Sequence, residues 1–397
     1  MTLVQTPPDV RAATRATYIA FIGSGFALAS WAARIPQVRD GLGLSPSRLG
    51  LVLLAIAAGS IVALPMAGQI VTRFGSRGTV TAMAVLLGLA LTAVAIGYRY
   101  GVAPVVVGLA FFGFANGAWD VAMNVQGTVV ERRLGRAIMP RFHAGFSVGT
   151  VAGAVVGAGI VALHVPVTPH LIGSALLVAV VVAYSVRAFV DDHSADAGVE
   201  PDVVVESGLR RALTAWSEPR TILIGVFVLA FAFTEGSGID WISVSMIDDY
   251  HAPATVGTLA FAVFLAAMTV GRWFGPGLLD RYGRVPVVRA LAVVSLVGLA
   301  LFIFGPDPAV AFAGAVMWGL GASLGFPVGM SAAADDPARA PARVSVVASI
   351  GYCAFLGGPP LIGFLGDHFT VLKALIAVAV LLGVAISVAG TIRPLNR

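Results

Sequence analysis

Apolar runs long enough to cross a bilayer recur along this chain, and no other feature constrains its fold as tightly. Hydrocarbon about 30 Å thick takes about 20 residues of helix. Backbone inside it must satisfy its own hydrogen bonds, which leaves helices or closed barrels. Twelve such runs lie near 15–38, 45–71, 78–98, 102–130, 141–163, 168–190, 220–243, 253–276, 284–304, 308–332, 342–366 and 370–391. With 58% of its residues hydrophobic and 11% charged, the chain has too little charge to cover a soluble surface. Arg11 and Arg15 precede a first run too long for the apolar core of a signal peptide, and no cleavage site follows. That run is therefore expected to stay as a span.

Several function classes drop out at this stage. The single cysteine, Cys353, excludes an internal disulfide framework and a thiolate metal cluster. No glycine-rich phosphate loop precedes the single lysine, Lys373, so this chain alone is not an ATP-driven pump. No Ser–His–Asp arrangement or metal cluster is visible, and neither enzymatic activity nor a cofactor is expected. The net charge of +5 reflects topology rather than nucleic acid. All of the 25 basic residues except Arg34, Arg39, Arg48, Arg99 and Lys373 fall on one side of the twelve-span arrangement. The bias of arginine and lysine towards the cytoplasm sets both termini inside. A bacterial-type inner membrane is the expected location.

Six spans, a long polar stretch and six more spans suggest duplication, and a short motif supports it. GQIVTRFGSRG (Gly68–Gly78) follows the second span, and PGLLDRYGRV (Pro276–Val285) follows the eighth. In register, Thr72 meets Asp280, Arg73 meets Arg281 and Gly75 meets Gly283. Each copy reads as a tight basic turn, where glycine permits the bend and arginine binds helix-end carbonyls or nearby acids. The expected fold is an all-α membrane protein with twelve transmembrane helices in two pseudo-symmetric six-helix bundles. These are 1–190 and 220–397, joined by a cytoplasmic linker at 191–219.

The repeated loop resembles the G-x-L-a-D-R-x-G-R signature between the second and third helices of the major facilitator superfamily, and the resemblance spans essentially the whole chain. The second copy matches at Leu278, Asp280, Arg281, Gly283 and Arg284, whereas the first has Thr72 where the acid is usual. The resemblance implies alternating access around a site near the bilayer midplane, between the halves. It also implies that Arg73, Asp280, Arg281 and Arg284 hold the cytoplasmic gate, more weakly in the copy that lacks its acid.

An ionisable group inside a span costs about 2.5–3.5 kcal/mol and marks a cavity or a partner. Asn116, Asp120 and Asn124 recur every four residues on one side of the fourth span. Counting from Arg132 at a rise of 1.5 Å per residue, Asp120 lies about 15–18 Å inside. Gly113 and Gly117 on the same span would let a neighbour approach closely. Trp119 turns away from the stripe and is expected to pack, and Gln126 lies off it. The acid followed four residues later by asparagine resembles the fucose-permease-like branch, which implies that Asp120 and Asn124 bind a sugar-like solute and a proton. WAARIPQV (Trp31–Val38) keeps that branch's Pro–Gln pair, but its acid falls on Ala32, which argues against fucose itself.

Glu235 and Asp240 lie in the seventh span, about 22 and 30 Å from Arg220. Glu235, followed by the loosening glycines Gly236 and Gly238, is expected to be a dehydrated carboxylate able to carry a proton near neutral pH. Asp240 is level with Arg34 of the first span, and the two are expected to pair when the periplasmic side is closed, the alternative being that Arg34 contacts an anionic group of the substrate. His143 opens the fifth span near the cytoplasmic surface and is expected at a gate. Gly145, Gly149, Gly153 and Gly157 form a close-packing ladder. Pro359 and Pro360 are expected to break or kink the eleventh span. In the tenth span Ala322, Phe326 and Met330 occupy the places of the polar stripe. The C-terminal half should therefore offer apolar cavity walls with Trp318 and Phe326.

The sequence thus predicts a monomeric secondary active transporter of a small polar organic solute, driven by protons. Import by symport is favoured over efflux of an amphipathic compound by proton antiport. A non-transporting membrane receptor is a weaker alternative. Its partners are the solute, protons and the lipid bilayer.

Overall fold

A computed structural model describes residues 8–135, 138–191, 214–336 and 339–395. Arg136, Arg210, Arg211, Arg397 and most of the expected linker lie outside the described residues. The described chain is helical, without strands. Its helices are α1 (Pro8–Ala32), α2 (Ile35–Leu42), α3 (Pro46–Gly97), α4 (Val102–Leu134), α5 (Met139–Ala162), α6 (Val167–Ser185), α7 (Pro219–Asp248), α8 (Ala254–Tyr282), α9 (Arg284–Phe304), α10 (Pro308–Ala322), α11 (Gly325–Ala333), α12 (Ala340–His368), α13 (Val371–Ala374) and α14 (Ile376–Val388).

Eleven segments of the described chain are long and apolar enough to span a membrane. One of them, the 52-residue α3, is two passes joined at Gly75, whose backbone is non-helical at φ 70°, ψ 164°. The count is therefore twelve, as the sequence predicts. Gly283, the repeat partner of Gly75, has nearly the same backbone at φ 81°, ψ 165°. The duplication is thus written in the turn geometry itself, in a region of positive φ that favours glycine.

Two spans depart from the expected continuous helices. The first breaks at Ala33–Arg34, between α1 and α2, and the tenth at Ser323–Leu324, between α10 and α11. Each break precedes a proline by two or three residues. In an unbroken helix Pro36 would leave the Ala32 carbonyl without a donor, and Pro327 would do so to Ser323. Pro359 and Pro360 behave differently. α12 runs through both without interruption, so of the two expected outcomes, a break or a kink, there is no break.

By their internal contacts the described residues fall into two compact units, those within Met1–Gly43 and Val52–Val199 and those within Leu44–Leu51 and Glu200–Arg397. Lipid tails are as apolar as leucine, so close backbone packing has to hold helices together within each unit. In the first unit α5 lies against α1. A Cβ at Gly149 would collide with the Ile22 carbonyl, and one at Gly153 with that of Phe26. On α4, Gly113 packs against the Ile56 backbone and Gly117 against Ser60. Ser60 Oγ donates to the Gly113 carbonyl (3.0 Å). In the second unit, α9 and α10 meet at Gly298 and Gly314. Trp318 is fully buried between Phe264 and Phe302, with ring centroids 5.4 and 5.7 Å away. It is a core residue, not the cavity wall the sequence suggests. Leu89, Val180, Phe304 and Phe364 are exposed, as side chains facing acyl chains should be.

Candidate functional site

In the first unit the polar stripe of α4 forms as expected, and α1 adds to it. Ser24 Oγ donates to Asn116 Oδ1 (2.9 Å). Asn124 Nδ2 donates to the Asp120 carbonyl (2.8 Å) and, more weakly, to Asp120 Oδ1 (3.3 Å). Asn116, Asp120 and Asn124 are all half-buried. The Asp120 carboxylate is therefore clasped on one oxygen by a residue one turn along its own helix, and Oδ2 has no protein partner among the described residues. Trp119 is wholly buried and packs within the bundle.

In the second unit Glu235 has a cation as its partner. Arg272 Nη2 donates to both of its oxygens, at 2.9 and 2.8 Å. Arg272 Nε donates to the Ser323 carbonyl (3.3 Å), the group that Pro327 deprives of a helical donor. The ion pair and the break in the tenth span are therefore one construction. By the charge bias alone Arg272 counts with the basic residues at the cytoplasmic span edges. It lies ten residues before Tyr282, about 15 Å along the helix, which is as deep as Asp120.

In this structure Arg34 takes its partners from within the first unit. It is buried, at 3% exposure. Its Nε donates to His170 Nδ1 (2.8 Å) and its Nη2 to the Val165 carbonyl (2.9 Å). Both acceptors belong to the start of α6 and the turn before it. Because Nδ1 accepts, His170 carries its proton on Nε2. Asp240, expected to pair with Arg34, is half-buried and makes no hydrogen bond or ion pair among the described residues.

The remaining charged residues gather at helix ends. Arg73 and Arg281 are exposed, each with its guanidinium over the next aromatic ring, Phe74 at 5.5 Å and Tyr282 at 5.1 Å. Asp280 is exposed. Arg284 reaches Asp335 (2.7 Å), which also binds Arg220 (3.0 Å). Nearby, Glu218 accepts from Arg343 Nε (2.6 Å) and Arg339 Nη1 (3.3 Å). His143 is exposed, with its ring edge-on to Phe21 at 5.1 Å. Asp335, Glu218 and His170 were missed from sequence. They are single polar residues, two of them in polar stretches, and no spacing ties them to their arginines.

Twelve passes in two like-built units, with polar clusters deep inside the spans, define a polytopic carrier of the transporter class. The profile of the Major Facilitator Superfamily matches residues 17–236 and 236–397, and the chain belongs to that superfamily. It is a multi-pass membrane transporter, not an enzyme. An uncharacterized MFS-type transporter of Yersinia pestis is 30% identical over 387 residues, covering 96% of this chain and 95% of the relative. Among solved structures, the nucleoside transporter NupG superposes with a TM-score of 0.76 at 12% identity, over 97% of this chain and 98% of that one. The E. coli fucose:proton symporter FucP gives 0.64 at 14% identity, over 96% and 98%. At these identities the likeness is one of fold.

Proposed function

We propose that this transporter carries a small polar organic solute across the inner membrane together with a proton, working by alternating access. The observation that carries the reading is Asp120, a half-buried carboxylate at mid-span depth whose oxygens are only partly satisfied by Asn124. A chain keeps such a group inside a span where it meets a cavity, a ligand or a proton. Asn116 and Asn124 add amide donors and acceptors along the same face, suited to hydroxyl and carbonyl groups of a solute. NupG and FucP are named for a nucleoside and for fucose with a proton. Both are hydroxylated, ring-bearing solutes, and they support the choice of class.

In this reading Glu235, paired with Arg272, is a second polar contact for the solute or its proton. The partial exposure of both side chains (18% and 27%) supports access. Arg34 and Asp240 serve the gate at one end. Arg73, Asp280, Arg281, Arg284 and His143 serve the gate at the other, with both termini in the cytoplasm and the chain acting as a monomer. The test is a thermal-shift screen of the purified protein against sugars, sugar acids, nucleosides, amino acids and cationic drugs. Uptake of any hit is then measured in vesicles with an imposed pH gradient. A polar solute accumulating with inward proton flow supports the proposal, and efflux of a drug against that flow contradicts it.

A further inference from the structure

A cavity of about 850 Å³ opens on the outer face of the first unit, where the second half of α3 meets the end of α6. Its lining includes Phe74, Arg77, Val85, Leu89, Ala183 and Arg187. Arg77 and Arg187 are both exposed, and neither meets a carboxylate among the described residues. Arg187 rests over the Tyr184 ring (5.4 Å). At the charged end of the second unit four arginines are already matched: Arg220 and Arg284 to Asp335, Arg343 and Arg339 to Glu218. In the first unit Thr72 replaces the acid of the repeated loop, and its hydroxyl donates to the Gly68 carbonyl (2.9 Å). Glu131 is committed to the backbone N–H groups of Ile138 and Met139 (2.7 Å each).

The cavity thus offers, at one end, two arginines that meet no carboxylate among the described residues and, at the other, an apolar wall. Leu89 (63%) and Val85 (45%) are exposed along it. From Arg77 to Leu89 the helix rises about 18 Å, roughly the depth of one leaflet's hydrocarbon. A free phosphate would match the arginines and leave the wall bare, and a zwitterionic headgroup would bring a cation beside two others. We propose that this cavity holds an anionic phospholipid, with its phosphate between Arg77 and Arg187 and an acyl chain along Val85 and Leu89.

The test uses the full chain in neutral detergent, with melting temperature read with added phosphatidylglycerol, phosphatidylcholine or inorganic phosphate. Phosphatidylglycerol should raise the melting temperature of the wild type clearly more than phosphatidylcholine, and inorganic phosphate should leave it unchanged. The double variant Arg77→Gln/Arg187→Gln should melt like the wild type without lipid, since no ion pair among the described residues is lost, and should respond equally to both lipids. If that variant does not fold, native mass spectrometry of Arg77→Lys and Arg187→Lys replaces it, and both should retain phosphatidylglycerol. A preference for phosphatidylglycerol that survives the double variant overturns the proposal. So does an equal response of the wild type to both lipids, an effect of phosphate alone, or loss of the lipid from the lysine variants.

Discussion

Arg272 holds Glu235 through one guanidinium nitrogen, 2.9 and 2.8 Å from its two oxygens, while Nε rests on the carbonyl that Pro327 leaves free at Ser323. Because the pair is partly exposed, its net worth lies between that of a surface bridge and a buried one, about 1–2 kcal/mol. Glu235→Gln and Arg272→Gln should each lower the melting temperature in detergent. The double variant should lose less than the sum of the two. Additive losses would show that the contact carries no coupling.

The packing of α5 on α1 predicts a contrast between two glycines of one helix. Gly149→Ala drives a methyl group into the Ile22 carbonyl, whereas Gly159→Ala meets nothing within 4 Å. The first should destabilise by about 1–3 kcal/mol, with the second close to neutral. Equal melting temperatures for the two variants would contradict the described interface.

Arg34 is buried on His170 and the Val165 carbonyl. His170→Ala removes an acceptor from a buried cation and should cost about 1.5–3 kcal/mol, with His170→Gln recovering part of it. For the same reason, reversing Arg34 to Asp and Asp240 to Arg together should not restore the transport lost by either change alone. Recovery in the double reversal would instead support the pairing expected from sequence.

The charge cluster outside the spans predicts a pH effect. The Arg343 hydrogen bond, with lesser help from Thr221 and Arg339, holds the Glu218 carboxyl below the ordinary glutamate value. An acid depressed in the folded state contributes its full stability above its unfolded pKa, about 4.3, and loses it as pH falls through the lowered folded value. The wild type should therefore lose more thermal stability than Glu218→Gln on acidification below about pH 4.3. Parallel pH profiles for the two proteins would contradict this.

Much of the fold was legible because a bilayer enforces simple arithmetic. Span length, the glycine ladder on α5 and the repeated turn at Gly75 and Gly283 all follow from local sequence. So does the Asn116–Asp120–Asn124 stripe, since four-residue spacing puts its members on one helix face. Contacts between helices distant in sequence were not legible. The Glu235–Arg272 pair is one of them, because Arg272 counts with the charges at the span edges, although the same depth count that places Asp120 puts it inside. The breaks before Pro36 and Pro327 had a visible signal, a proline late in an apolar run. The same signal fails at Pro359–Pro360, where the helix continues. His170 as the acceptor for Arg34 has no sequence signal, because the two residues meet only through the packing of α1 against α6.

The account rests most heavily on Asp120 as the proton-coupling group. The decisive measurement is accumulation of an identified solute in proteoliposomes under an inward proton gradient, compared with exchange of the same solute at equilibrium, for wild type and Asp120→Asn. The account predicts that the variant loses gradient-driven accumulation and keeps exchange. Accumulation that survives in Asp120→Asn would contradict it.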